Sequence, residues 1–327
     1  MTRLDEASSS AEVDEDNSTL RTVMAVVGHP KLRAAILLGI GVFFVWLVTK
    51  SWSQIVRSVS EIGPGTFTLA VVIFTLSAAA AFQGWYLVLR SVGEHAERRE
   101  ALEVFAIGQI GKYLPGGVWV PMLHVEVGRR LGLRARGLAT GSVIHALFTA
   151  VVGLLVGVWA VPTAASHAGD IPWFVMLLAA PLLLLFVPRV FSWIIERLTG
   201  LAANVSGRSI AHIVAWTAAS FVLQGLQLLV ITSAIVPSSG LSPVVVVAAF
   251  ALSWSIGFLF LPAPAGAGVR EAVLIAVLAA SAPAQVVVGI ALISRAANIV
   301  SDVLVAVLGG WPLMRRLCVE RIDSLRS

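Results

Sequence analysis

A series of long apolar runs, separated by short polar connections, dominates this sequence. A helix needs about 20 apolar residues to cross the hydrocarbon of a bilayer. Seven runs qualify when tilt and charged ends are allowed for: 33–49, 66–89, 138–161, 172–188, 210–236, 244–261 and 284–310. Only 13% of the residues are charged, against about 25% in a soluble domain. The excess apolar surface needs lipid, so the sequence predicts a polytopic membrane protein.

Two further apolar segments are too short or too interrupted for a simple crossing. Pro and Gly interrupt residues 101–123, and a Pro- and Gly-rich stretch precedes residues 272–282. An eleven-residue helix covers about 16 Å, roughly half a bilayer. We predict a re-entrant loop at 101–123 and a crossing at 261–282 that is partly non-helical. The predicted fold is an all-α membrane helix bundle with about eight crossings and these two broken segments.

Broken backbone at membrane depth has to be buried in protein or line a wet cavity. Two such segments in one small bundle therefore predict one shared central cavity. In secondary transporters, interrupted helices commonly mark the substrate site.

Basic residues predict the orientation, because cytoplasmic loops are enriched in Lys and Arg. Twenty of the 23 Lys and Arg residues lie on one side of the predicted topology, and only Lys50 and Arg57 lie on the other. The chain is therefore expected to be a multi-pass cell-membrane protein with both termini in the cytoplasm. The expected domains are a disordered acidic tail at 1–20, a transmembrane domain at 21–314 and a basic tail at 315–327.

Residues 108–119 read GQIGKYLPGGVW and superficially resemble a phosphate-binding loop. A nucleotide P-loop has the pattern G-x-x-x-x-G-K-[ST]. Here position 106 is Ala, and Tyr113 follows Lys112 where the motif requires Ser or Thr. We therefore expect no bound nucleotide, and we also expect no nucleic acid as a partner.

The same stretch fits a break in a membrane helix. Pro115 lacks an N–H donor, and Gly116 and Gly117 tolerate positive φ. The amides freed by such a break can bind an anion, and Lys112 adds a positive charge. The alternative is that Lys112 only snorkels to the cytoplasmic surface.

The second broken segment, LPAPAGAGVREA at 261–272, again joins glycines to an arginine. Arg270 and Glu271 are adjacent and do not face each other on a helix. In the last span, the spacing places Arg295, Asn298 and Asp302 on one face, which should point into the bundle. We predict that Glu271 pairs with Arg295, which leaves Arg270 to meet Asp302 or a ligand. The alternative is a purely structural lock between helices.

Two further groups of polar residues are weaker candidates. One group follows the first break, and the other lies in the run at 210–236. His124 and Glu126 could contact a lipid headgroup or be solvated, and Arg129 is a further candidate contact. Gln224 and Gln227 are predicted to be polar contacts between helices. The sequence has no pattern typical of a nucleophile triad, a zinc site or a paired-carboxylate site. We therefore expect no metal, no cofactor and no enzymatic activity.

Three stretches carry a resemblance to a known family. They are GQIGKYLPGGVWVPMLHVEVGRRLGL at 108–133, LPAPAGAGVREAVL at 261–274 and SRAANIVSDVLVAVLGG at 294–310. Over about 30–310, the chain resembles the lysylphosphatidylglycerol synthase transmembrane-region, or flippase-like, family. The resemblance implies either the membrane half of enzymes that make and flip aminoacylated phosphatidylglycerol, or a stand-alone protein. Stand-alone members are linked to moving lipids or polyprenyl-phosphate sugars across bacterial and archaeal membranes.

The resemblance also implies site residues. The matched positions are Pro115, Gly116 and Gly117 at the first break, Gly266, Gly268, Arg270 and Glu271 at the second, and Arg295 in the last span. No soluble aminoacyltransferase domain follows Gly310, so synthase activity is not expected.

These observations favour a flippase that moves an anionic lipid or a polyprenyl-phosphate-linked sugar between leaflets. Lys112, Arg270 and Arg295 would neutralise the phosphate, while Glu271 and Asp302 hold the arginines in place. Neutralisation lowers the cost of desolvating the headgroup, which is the main barrier to crossing. The alternative is a membrane subunit or scaffold of a lipid-modifying or cell-envelope synthase. A cell-envelope glycosyltransferase is a candidate partner.

Overall fold

A computed structural model describes residues 60–113, 118–161, 183–184, 186–200, 205–237, 242–259, 268–278 and 282–326. Within these ranges the regular structure is helical. The α-helices are α1 Pro64–Ser91, α2 Arg98–Gly111, α3 Trp119–Arg130, α4 Ala135–Gly157, α5 Pro188–Thr199, α6 Gly207–Ile235, α7 Pro243–Leu259, α8 Val269–Leu278 and α9 Ala284–Arg326. A 3₁₀ turn, Val158–Ala160, extends α4. The predicted all-α polytopic helix bundle is confirmed.

Four of the described helices are long and apolar enough to cross a membrane. They are Pro64–Ser91, Ala135–Ala160, Gly207–Ile235 and Ala284–Trp311. These helices match four of the predicted spans to within a few residues. The shorter apolar helix α7 corresponds to the predicted run at 244–261.

Parts of the predicted topology lie outside the described residues. They are the run at 33–49, most of the run at 172–188 and the acidic tail at 1–20. The number of eight crossings therefore stays a prediction. At the other end, α9 continues as one helix to Arg326, past the predicted domain boundary after residue 314.

Both predicted breaks separate helices. The first falls between α2, which ends at Gly111, and α3, which begins at Trp119, and these two helices pack against each other. After the second break, α8 spans only 10 residues, about 15 Å, which is half of the hydrocarbon thickness. Residues 260–267, which contain most of that break, are outside the described ranges.

Small residues allow the helices to approach closely, as is common in membrane bundles. A side chain at Gly157 of α4 would bring a Cβ within 2.8 Å of the Leu252 backbone on α7. At Gly309 of α9, an added Cβ would overlap Ala106 of α2. These contacts fix how closely α4 meets α7 and α9 meets α2.

The buried apolar residues form two main clusters at opposite ends of α1 and α6. One cluster contains Phe67 and Phe74 from the start of α1 together with Leu228 and Ile231 from the end of α6. The other contains Phe82, Trp85, Val88, Leu89 and Val92, at and just beyond the end of α1, together with Ile210 and Ile213 from the start of α6. These two helices therefore run antiparallel, and the segment between the clusters lies at mid-bundle.

Candidate functional site

One face of α9 carries polar side chains into the interior of the bundle. Ser294, Asn298, Ser301 and Asp302 are all buried, and Asp302 has no exposed surface. Their spacing of three, four and seven residues places them on one helix face. Charged groups inside a membrane bundle are costly unless they are paired. The contacts of this face therefore define the site.

The first contact joins α9 to the end of α2. Asp302 Oδ1 accepts a 2.7 Å hydrogen bond from Lys112 Nζ, and the Tyr113 hydroxyl donates to the other carboxylate oxygen. Lys112 also donates to Gln109 Oε1 at 3.3 Å. Because α2 ends at Gly111, the two residues after it turn inward toward α9. Lys112 is thus engaged inside the bundle, with 35% of its side chain exposed.

The second contact joins α9 to α8. Arg295 Nη1 donates to Glu271 Oε1 at 3.1 Å, which confirms the predicted pairing of these two residues. Glu271 Oε2 accepts a 2.6 Å hydrogen bond from the Gly268 N–H. A glutamate in the first turn that reaches back to the N-cap amide is half of a capping box. Gly268 has φ +84°, which favours glycine.

Arg270 lies beside these pairs without an ion-pair partner among the described residues. Its guanidinium carbon is 5.4 Å from the centre of the Trp254 ring, and its Nε is buried with no hydrogen-bond partner in the described part of the chain. The direct contact with Asp302 that we considered is not formed, because Lys112 and Tyr113 occupy that carboxylate. Arg270 is close enough to interact electrostatically with Arg295, Glu271 and Asp302.

A cavity of about 360 Å³ lies between the two apolar clusters, at the middle of α1 and α6. Its polar lining residues are Ser77, Gln109, Lys112, His124, Ser142, His145, Thr149, Thr217, Ser220, Gln224 and Asp302. Lys112 and Asp302 are the charged members of this described lining. Arg270 is not one of these lining residues. Its guanidinium lies over the ring of Trp254, which does line the cavity.

His124 is part of the cavity wall and is not solvated. It is 2% exposed, and its Nδ1 lies 2.7 Å from Ser142 Oγ. Its ring contacts Trp85, with ring centres 4.8 Å apart. A Cβ at position 108 would overlap this imidazole, so Gly108 makes room for the ring. The possibility that His124 faces solvent was therefore wrong.

Not every predicted site residue is brought to the cavity. Glu126 pairs with Arg130 at 3.0 Å and Arg129 is exposed, and neither Glu126 nor Arg129 lines the cavity. Pro115, Gly116, Gly117 and Gly266 lie outside the described residues.

The two glutamines differ from each other. Gln227 bridges α6 to α9, because Ser294 Oγ donates to its Oε1 at 3.0 Å, as predicted for a contact between helices. Gln224 instead donates to Ser220 of its own helix at 2.8 Å and lines the cavity.

Sequence reasoning missed several members of this site. Tyr113 follows Lys112 in the first broken motif, and its role as a donor to Asp302 had no sequence signal beyond that position. Ser77, Thr217 and Ser220 had a signal, since they are polar residues at the centres of apolar helices. Trp254 carried none, because an aromatic residue in an apolar run is common.

The fold and site together define a polytopic α-helical membrane protein with a polar, charge-bearing cavity inside the bundle. The family model described as "Lysylphosphatidylglycerol synthase TM region" matches residues 33–306. The chain therefore belongs to this family, and the matched range includes both breaks and Asp302. A comparison with curated proteins gives no match. Family membership suggests a membrane protein of lipid or cell-envelope synthesis or of lipid flipping.

Proposed function

We propose that this protein is a flippase that moves an anionic lipid or a polyprenyl-phosphate-linked sugar between leaflets. The observation that carries the proposal is the position of the cavity. It lies halfway along two membrane-length helices and is lined by Lys112. A cation at that depth lies where a crossing phosphate would otherwise have the least solvation.

Charge neutralisation would lower the barrier to crossing. An ionised phosphate that enters an apolar environment without partners loses its hydration at high cost. Lys112 lines the cavity, and Arg270, which has no ion-pair partner among the described residues, lies over the ring of Trp254, which also lines the cavity. Arg295 is engaged by Glu271 and, unlike Lys112, does not line the cavity. We therefore assign phosphate contact to Lys112 and Arg270, and a supporting role to Arg295.

The size of the cavity supports a headgroup site. A volume of about 360 Å³ is at the small end of ligand pockets. It suits a phosphate with a small polar group better than whole acyl or prenyl chains. In this proposal the chains stay in the bilayer while the headgroup passes through the cavity.

The proposal involves no chemical change of the lipid. The only histidine–serine contact in the described cavity lining at short distance is His124 with Ser142. The Ser142 hydroxyl donates to the Leu138 carbonyl at 2.7 Å, so the imidazole Nδ1–H donates to Ser142. In this arrangement the histidine does not act as a base toward the serine. We further propose a cell-membrane location with cytoplasmic termini, and a cell-envelope glycosyltransferase as partner.

Reconstituted vesicles test the proposal. Purified protein is placed in vesicles that contain labelled phosphatidylglycerol or a labelled polyprenyl-phosphate sugar, and the inner-leaflet label is followed as it becomes accessible to an external quencher. We expect transfer with the native chain and with Arg98→Ala, an exposed residue of α2, and loss of transfer with Lys112→Ala. Rates equal to protein-free vesicles for both lipids would contradict the proposal. A new lipid product would favour the synthase-subunit alternative.

A further inference from the structure

The charged groups around the cavity do not cancel. Among the described residues at this site, Lys112, Arg270 and Arg295 are cations, and Glu271 and Asp302 are anions. The two carboxylates each have a cation within 3.1 Å. One positive charge, on Arg270, is therefore left over.

Among the described residues, the groups that contact this cluster from neighbouring segments are uncharged. Tyr113, which follows α2, donates to Asp302, Thr75 from α1 is 2.9 Å from Ser301, and Gln227 from α6 bonds to Ser294. The imidazoles of His124 and His145 are neutral at pH 8, which is above the usual histidine pKa of about 6.5. The surplus is therefore a single positive charge at that pH.

We infer that the site selects lipids that carry one negative charge, that is phosphodiesters, over dianionic phosphomonoesters. Asp302 is the residue that limits the negative charge of the headgroup. The inference rests on the proposed function and adds the charge class of the headgroup. A phosphodiester would balance the charge of Arg270 and leave both ion pairs intact. A phosphomonoester would bring a second negative charge, which would have to compete with Asp302 for Lys112.

Asp302 is the residue that limits the charge, because it holds Lys112, the one cation in the described cavity lining. Its side chain is fully buried, and both of its oxygens are occupied by groups from the end of α2. Glu271 is less suited to this role, since it also caps α8 through Gly268. Removal of the Asp302 charge would raise the surplus from one positive charge to two.

Two lipids that differ by one methyl group test the inference. Dioctanoyl phosphatidylmethanol is a phosphodiester with one negative charge, and dioctanoyl phosphatidic acid is a phosphomonoester whose second ionisation gives it a larger negative charge at pH 8. Calorimetric titration of the intact chain in detergent at pH 8 gives both affinities. We expect the native chain to bind the diester at least tenfold more tightly, and Asp302→Asn to reduce or reverse this ratio.

The matched control is Glu61→Gln, which removes the same charge at an exposed position outside the cavity lining and should leave the ratio unchanged. Equal binding of the two lipids by the native chain, with an affinity that depends on Lys112, would overturn this inference and leave the proposed function standing. An unchanged ratio in Asp302→Asn, or an equal shift in Glu61→Gln, would also overturn it. If Asp302→Asn does not fold, the ratio in the native chain decides. If neither lipid binds, the proposed function fails and this inference fails with it.

Discussion

The two ion pairs of α9 have similar chemistry but different surroundings. Arg295 and Glu271 join α9 to the short helix α8, and Glu271 also caps α8. Lys112 and Asp302 join α9 to the end of α2, and both line the central cavity. The first pair is suited to holding a half-length helix in place. The second presents a cation to whatever enters the cavity.

This difference shows that a charge inside a membrane bundle does not by itself indicate a substrate contact. Both pairs satisfy the rule that buried charges are paired. The two pairs differ in their position relative to the cavity, which Lys112 and Asp302 line and Glu271 and Arg295 do not. We therefore expect substitutions at the two pairs to affect stability and transport in different proportions.

The largest effect is expected from the removal of Lys112 alone. Lys112→Met leaves Asp302 as a buried carboxylate without its cation. Breaking a buried pair costs about 3–5 kcal/mol, and we expect the low end because Lys112 is 35% exposed. The double variant with Asp302→Asn should regain most of the stability but not the transport. Thermal unfolding in detergent and the vesicle assay measure the two properties. Equal stability of the single and double variants would show that the pair is not coupled.

Arg270 should affect transport much more than stability. Arg270→Gln removes the surplus cation, and we expect transport to fall at least tenfold. The stability loss should stay within about 1 kcal/mol, since the described contact that is lost is with the Trp254 ring. The same two assays apply. A large drop in unfolding temperature with normal transport would instead make Arg270 a structural residue.

The pair between α8 and α9 should show the opposite proportions. Glu271→Gln weakens both the contact with Arg295 and the cap of α8, and a loss of about 1–3 kcal/mol is expected for such partners. Transport per folded molecule should stay above half of the native rate. Abolished transport in a variant of native stability would move this pair into the binding site.

The smallest effect is expected at Gln227, which bridges α6 to Ser294 away from the cavity lining. Hydrogen bonds between membrane helices average about 0.6 kcal/mol. Gln227→Leu should therefore cost no more than about 1 kcal/mol and leave transport unchanged. It provides the baseline for the other variants, and a transport defect here would show that the whole α9 face is sensitive.

The sequence predicted the class of fold and part of the site. Apolar run length was sufficient for the four membrane-length helices, and the spacing of Arg295, Asn298 and Asp302 was sufficient for the buried face of α9. The Glu271–Arg295 pair could be predicted because opposite charges occur in consecutive apolar segments. The breaks were recognised from Pro and Gly.

The remaining contacts depend on packing that no local pattern encodes. Asp302 meets Lys112, which is 190 residues away in the chain, and Arg270 was an equally reasonable partner by charge. The close approach of α2 and α9 at Ala106 and Gly309 brings the end of α2 near Asp302, and Lys112 is therefore the partner. Glu126 and Arg129 were proposed from their proximity to the first break, but the structure places them outside the cavity lining because α3 turns that face away.

The proposed headgroup site is tested most directly by a cryo-EM structure of the protein in a bilayer that contains an anionic phosphodiester lipid. We predict a phosphate in the mid-bundle cavity, within hydrogen-bond distance of Lys112 or Arg270, with the Glu271–Arg295 pair intact. A cavity closed by dry packing with Arg270 paired to a carboxylate, or a lipid phosphate bound only at the membrane surface, would contradict the account.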